Sequence, residues 1–263
     1  ITSIQGTEMS EIAAQKVNSY WNSPLCMAEY DKNHAECIGA ERDDAVWREE
    51  FKRYLPPAPA AVADIGCGTG FASLLLAELG YTVTGLDQAE TMLASARGKA
   101  AQRKADIRFV QGDATHPLLP AGSFDVVLSR WVYWTLPDPE AAARNALNLL
   151  RPGGMLAVFD GQWFKGKSHT KDDAAKHTPA NERDKLWADA YTDELQSQLP
   201  LMRENPPEKV AAMLERAGYV NVTFELMGHA NAIYHQYKGA ERHAQDCLYV
   251  VRGYAPERSA CNK

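Results

Sequence analysis

The sequence has no run of about 18 apolar residues, so no segment reads as a membrane span. The N-terminal stretch ITSIQGTEMSEIAAQ has neither the basic nor the apolar region of a secretory signal. Cysteine is scarce. Cys26, Cys37, Cys67, Cys247 and Cys261 are odd in number, and no close pair has metal-ligand spacing. These absences speak against a disulfide framework and a metal site, and reduced thiols in a cytoplasmic protein are expected. An excess of positive charge is missing too. Lys and Arg total 28 against 34 Asp and Glu, a net charge of −6, so no broad phosphate-binding surface is expected. There is no internal repeat and no low-complexity block.

What is present suits one large domain, or a domain with an insert: 263 residues, 45% of them hydrophobic. Residues 8 to 54 read as helices broken near Pro24 and Gly39, and PPAP at 56–59 separates this cap from the rest of the chain. Strands and helices then alternate. The segments AVADI (61–65), YTVTGLD (81–87), DIRFVQGD (106–113), FDVVLS (124–129) and MLAVFD (155–160) read as strands. Helices are expected over 71–80, closed by Gly80, over 89–103, and over 138–154, capped by Asp138 with Pro139 in its first position. A polar stretch from 165 leads into one helix at about 181–199, carrying Leu186, Trp187, Ala190, Tyr191 and Leu195 on an apolar stripe. A helix at 206–218 and strands at 220–226 and 247–254 complete the pattern.

Alternation of this kind implies a parallel sheet with helices on both faces. Such sheets bind ligands beyond the carboxyl ends of their strands. Chemistry is therefore expected just after residues 65, 87, 113, 129 and 160.

The first of these places is VADIGCGTGF, residues 62–71, with glycines at 66, 68 and 70. A dinucleotide fingerprint needs a third glycine at 71, where this chain has Phe71. Glycine also serves any tight strand-to-helix turn. Asp87 ends the second strand, where a carboxylate can accept both hydroxyls of a ribose lying over the glycine turn; the plain alternative is a helix cap. Asp113, in QGDA, lies on the same edge and can meet an adenine edge. Asp64 either meets a ligand ammonium or ties down loop amides.

Taken in order, DIGCGTG, GLDQ, QGDA, FDVVLS and RPGGMLAVFD resemble the class I S-adenosylmethionine-dependent methyltransferases over roughly residues 60 to 160. The chain is most similar to the bacterial small-molecule branch that includes the ubiquinone and menaquinone biosynthesis methyltransferases. The resemblance implies a Rossmann-like α/β fold with a seven-stranded, mostly parallel sheet in the order 3-2-1-4-5-7-6. It implies a helical cap or lid over 1–55, and a methyltransferase domain over 56–263 with a helical insert at about 165–205. The cofactor implied is S-adenosylmethionine. Asp64, Gly66, Cys67 and Gly68 are then expected against its methionine part. Asp87, Gln88 and Met92 belong beside the adenosine, Asp113 and Ala114 at the adenine, and Ser129 and Arg130 between the methionine part and the acceptor. Tyr30, from a Tyr30–Asp31 pair in the cap, is expected to reach the ligand.

The acceptor is expected beyond the fourth strand, along SRWVYWTLPDP (129–139). That segment lacks the Asn-Pro-Pro-Tyr-type motif of enzymes that methylate amino groups of nucleic-acid bases. Trp131, Tyr133, Trp134, Trp163 and Phe164, with Tyr20 and Trp21 from the cap, are either core or pocket wall. Tyr20, Trp21, Trp131, Trp134 and Trp163 are taken as the substrate-binding set. A small, aromatic or heterocyclic acceptor with an O or N nucleophile is expected, and neither nucleic acid nor membrane as partner, in a monomer or homodimer. Methyl transfer needs alignment and exclusion of water rather than a covalent nucleophile, so Cys67 reads as a small loop residue. His34, His169 and His235 are candidates for a general base, and none is named catalytic. The alternatives are a nucleotide-dependent oxidoreductase, a non-catalytic scaffold, or a methyltransferase of an aliphatic amine or lipid quinol.

Overall fold

The computed structural model describes residues 2–37, 39–162, 182–236 and 248–257. Three helices come first: α1 (Thr2–Trp21), α2 (Pro24–Cys37) and α3 (Ala40–Tyr54). The alternating part then runs β1 (Ala61–Ile65), α4 (Phe71–Glu78), β2 (Thr82–Asp87), α5 (Glu90–Arg103), β3 (Ile107–Gln111) and β4 (Phe124–Arg130). A 3-10 turn at Tyr133–Thr135 leads to α6 (Pro139–Leu149) and β5 (Leu150–Gly161). After these come α7 (Glu182–Ala190), α8 (Asp193–Ser197), α9 (Pro207–Arg216), β6 (Val220–Leu226), α10 (Gly228–Tyr234) and β7 (Leu248–Tyr254).

The seven strands form one sheet in the order β3-β2-β1-β4-β5-β7-β6, the order that the resemblance implies. Neighbours from β3 to β5 pair in parallel, and β7 runs antiparallel to both β5 and β6. Central strands are apolar on both faces, and their side chains divide by parity. Val126, Leu128, Met155, Ala157 and Phe159 join the cluster that holds α3 and α4, whereas Val127, Leu156 and Val158 join the cluster on the other face. Within the first cluster Trp47 and Phe51 of α3 are fully buried and meet the Phe159 ring edge-on at 5.8 and 5.5 Å. Each such side chain contributes about 1.5–3 kcal/mol by leaving water.

Most element ends fall where local chemistry places them. Gly80 takes φ +92° just past α4. Asp138 caps α6 by accepting from the Ala141 amide at 2.8 Å. Three expectations need correction. The helix expected over 138–154 ends at Leu149. Leu150 is already extended and Pro152 disfavours helix in Arg151, so residues 150–154 belong to β5. The single helix expected at 181–199 is two, because Thr192 is extended and its hydroxyl starts a new helix by accepting from the Leu195 amide. Finally, the sequence pattern does not reveal α10. It opens on Gly228 and spans seven residues, too short for a helical period to show.

Its anchors are far away in sequence. Glu50 of α3, wholly buried, accepts from the Ala230 amide and pairs with His229 Nδ1, both at 3.0 Å. Trp47 Nε1 donates to the Tyr234 hydroxyl at 3.1 Å, which in turn donates to buried Asp43. Asn231 completes the join, accepting from the Leu248 amide and donating to the Leu248 carbonyl at the start of β7. Glu50→Ala should therefore strand a buried amide and cost about 1–3 kcal/mol. The thermal midpoint is expected to fall by about 2–12 °C. Replacement of its exposed neighbour, Glu49→Ala, should leave the melt within about 0.5 kcal/mol of wild type.

Candidate functional site

The turn after β1 is bent by backbone conformations that favour glycine. Gly66, Gly68 and Gly70 take φ of +72°, +54° and +83°. The amides of Gly66 and Cys67 both donate to the Leu86 carbonyl, at 2.7 and 3.0 Å, which locks the turn to β2. A Cβ on Gly66 would lie 2.4 Å from Val132 Cγ2, so this glycine permits close approach of the segment after β4. A Cβ on Gly68 would meet nothing within 4 Å. The backbone at Gly68 faces open space.

That space is a cleft, partly open to solvent. Sheet order arranges its polar groups along the carboxyl edge: Asp113 after β3, Asp87 at the end of β2, the glycine turn after β1, and Arg130 at the end of β4. Gln88, Met92 and Ala114 line the acidic part. Tyr30, Trp21 and Trp131 line the part near Arg130.

Asp87 holds this edge together. One carboxylate oxygen accepts from the Gly68 amide at 2.8 Å, the other from the Ala89 amide at 2.9 Å. Burial raises its pKa, and those amides work against the rise. An ionised carboxylate has about four acceptor positions, so acceptor capacity remains beside these amides. Asp113 accepts from the Thr115 amide at 2.7 Å and shapes the loop after β3.

Arg130 is 6% exposed and is the only cation among the described lining residues. Its guanidinium carbon lies 3.5 Å from the Trp131 ring centroid, 4.3 Å from Trp47 and 4.5 Å from Phe71. Trp131 itself has φ +63°, left-handed for a residue with a bulky side chain, and its amide donates to the Phe159 carbonyl at 2.8 Å. Such a conformation costs of order 1–3 kcal/mol. Stacking on a desolvated guanidinium contributes about 2 kcal/mol, enough to offset much of it. The Tyr30 hydroxyl accepts from Arg130 Nη1 at 3.5 Å, and burial raises the pKa of that phenol.

Several anticipated residues sit elsewhere. Asp64 does not line the cavity. It is 1% exposed and accepts from the Ser73 hydroxyl at 2.6 Å, tying β1 to α4. Desolvation lifts its pKa to about 6 against the pull of Ser73 and Arg130. Cys67 and Ser129 are buried and also absent from the lining, and burial pushes the Cys67 thiol up. Tyr20, Tyr133 and Trp134 are core. Tyr20 meets Trp187 and Tyr191 edge-on, while Trp134 packs beside the same two rings. His235 is exposed and does not line the cavity. Trp163, Phe164, His169 and the side chain of His34 lie outside the described residues. Ala14 and Val17 of α1, with Thr135 and Pro137, line the cavity without having been expected there. Small and aliphatic residues carry no chemical signal in a sequence. Within residues 1–55, α1 and α2 contribute to the cavity, whereas α3 packs on the sheet. Among the described residues no His, Cys, Asp and Glu group could hold a metal ion, and no helix is long and apolar enough to cross a membrane.

Residues 63–158, which contain the turn, Asp87, Asp113 and Arg130, match the family model described as a methyltransferase domain. Residues 63–158 are thus similar in sequence to methyltransferase domains, and the chain shares the fold of solved S-adenosylmethionine-dependent methyltransferases. Over 120 residues it is 38% identical to the demethylmenaquinone methyltransferase of Thermus thermophilus, covering 44% of this chain and 54% of that one. It is 39% identical over 106 residues to the ubiquinone biosynthesis O-methyltransferase of Methylobacterium nodulans, covering 40% and 42%. It is also 39% identical over 112 residues to the trans-aconitate 2-methyltransferase of Deinococcus radiodurans, covering 41% of each. The matched stretch thus spans about half or less of the length of these relatives. The fold extends further. Phosphoethanolamine N-methyltransferase 2 of Haemonchus contortus superposes with a TM-score of 0.61 at 17% identity, covering 92% of this chain and 60% of that one. A methyltransferase from Aquifex aeolicus superposes with a TM-score of 0.59 at 14% identity, covering 89% and 98%.

Two outcomes are expected for the turn after β1 and the acid that precedes it. Gly66→Ala should lose about 2–5 kcal/mol in denaturant unfolding, part of it left-handed strain and part collision with Val132. Val132→Ala in the same chain should recover about 1–3 kcal/mol of that loss, whereas simple addition of the two effects would show that no collision occurs. For Asp64 the folded pKa lies above the ordinary 3.8. The folded state therefore binds more protons between about pH 4 and pH 6, and stability falls as pH rises through that window. Asp64→Asn should remove the fall, gaining up to about 3 kcal/mol over wild type near pH 7 and nothing near pH 4 in urea unfolding.

Proposed function

We propose that the protein transfers the methyl group of S-adenosylmethionine to an O or N atom of a small, aromatic or heterocyclic molecule. The observation that carries this reading is the order of groups along the carboxyl edge: an acid, a second acid, an open glycine backbone and a cation, all on one cavity. The spare lone pairs of Asp87 suit two ribose hydroxyls. Asp113 and the backbone at Ala114 suit an adenine edge. The bare backbone at Gly68 suits a close-lying chain, and Arg130 suits a carboxylate at its end. A dinucleotide would need a third glycine where Phe71 stands, stacked instead on Arg130.

The cofactor supplies a methyl group already activated on a sulfonium. The chain's own residues then have to align the acceptor and keep water out. Trp131 and Trp21 offer flat apolar walls beside Arg130, and Ala14 and Val17 of α1 line the same cleft. We take α1 and α2 as the cap over this site. The curated relatives support a small acceptor, since their names refer to menaquinone, ubiquinone and trans-aconitate. The match to the last favours an aliphatic carboxylate as the second reading.

Transfer of a tritiated methyl group to panels of phenols, planar heterocycles, aliphatic acids and aliphatic amines tests the acceptor. Label confined to the aliphatic panels would overturn the aromatic reading, and label nowhere would favour a binding protein over an enzyme. Asp87→Ala tests the cofactor site by calorimetric titration with S-adenosylhomocysteine. Loss of a charged acceptor should weaken binding by about 30-fold to 1000-fold, or about 2–4 kcal/mol, with the far-ultraviolet spectrum retained. Unchanged affinity would remove Asp87 from the site.

A further inference from the structure

We propose that Asp31 is a positioning residue for the bound cofactor: it ties α2 to the glycine turn through Thr69, and so holds Tyr30 at the cavity. The inference rests on reading the cavity as an S-adenosylmethionine site. One oxygen of Asp31 accepts from Thr69 Oγ1 at 2.6 Å and from Lys99 Nζ at 2.7 Å, and the other accepts from Ser95 Oγ at 3.3 Å. Thr69 stands between Gly68 and Gly70 in the turn, and it is 1% exposed. Asp31 therefore joins three elements at one carboxylate: α2, the turn and α5.

The Thr69 bond is the one that matters. The pair with Lys99 is about one-third exposed on each side, and exposed ion pairs contribute little. A hydrogen bond from a buried hydroxyl to a carboxylate is stronger, and it ends on the backbone segment that faces the ligand. Tyr30 precedes Asp31 by one residue and so projects about 100° round the helix. One side of α2 grips the turn while Tyr30 lines the cavity and meets Arg130.

Between Pro24 and Lys32 the helix is lightly held, with only Cys26 fully buried. A second polar tie lies just before the helix, where Asn22 Oδ1 accepts from the Thr91 amide and hydroxyl at 3.0 Å each. An element with so little buried apolar surface opens readily unless such ties hold it. Release of a ligand lying under Tyr30 then requires the Asp31–Thr69 bond to break.

The test is the dissociation rate of S-adenosylhomocysteine by stopped-flow, with thermal melts of the ligand-free chains. Thr69→Val removes the hydroxyl at nearly constant shape, and Asp31→Ala removes its acceptor. Each should speed release about 10-fold. The double variant should be no faster than the quicker single, because both changes break one bond. Thr69→Ser restores the hydroxyl and should bring release back to within about two-fold of wild type. A merely structural role would lower the melting points without this rescue and without the non-additivity. Wild-type release in Thr69→Val, or additive effects in the double variant, overturns the proposal while leaving the cofactor reading intact. Failure of the wild-type chain to bind S-adenosylhomocysteine overturns the cofactor reading, and this proposal with it.

Discussion

The carboxylate of Asp87 is the constraint on which the site depends. It takes an amide from the turn after β1 and another from the start of α5, so three separate pieces of chain meet at one charged group. Without it, the amides of Gly68 and Ala89 would each lose the acceptor the protein gives them. In the proposed function the same group also accepts from a ligand, and an ionised carboxylate, with about four acceptor positions, has room for that beside these amides. A residue with this double duty does not tolerate exchange for a helix cap of a different shape.

The strands were legible in the sequence to within about two residues at each end, apart from the start of β5 at Leu150. Parallel strands buried on both faces produce short apolar runs, and AVADI, FDVVLS and MLAVFD are such runs. The acids at 87 and 113 and the glycines at 66 and 68 could be read because a turn there accepts few other residues. What could not be read depends on distance. Asp64 looks in sequence like a ligand-facing acid. Only the three-dimensional position of Ser73, one helical turn beyond the loop, turns it inward. Likewise α10 has almost no signal of its own, and its stability comes from Glu50 and Asp43, about 180 and 190 residues away.

Aromatic residues show the same division. Trp131, Tyr133 and Trp134 lie within four positions, and no property of the sequence separates them. The left-handed backbone at Trp131 does so, turning that ring onto the Arg130 guanidinium and the cavity, while the following 3-10 turn carries Tyr133 and Trp134 into the core. Tyr20 and Trp21 divide for a simpler reason, since neighbours on a helix point about 100° apart. Tyr20 enters the cluster with Trp187 and Tyr191, and Trp21 reaches the cavity while donating its ring N–H to Tyr191 at 3.0 Å.

Parity along β4 has a reach that extends to the site's charge. Val126 and Leu128 face the layer of α3 and α4, and Arg130, two residues on, leaves the sheet on that same side. Trp47 and Phe71 can flank its guanidinium only because the count from 126 to 130 is even. A single inserted residue upstream of 130 would send the cation to the opposite layer, where neither ring waits. The electrostatic character of the cavity is therefore written in arithmetic. It depends on the number of residues in a buried strand as much as on the identity of the one that carries the charge.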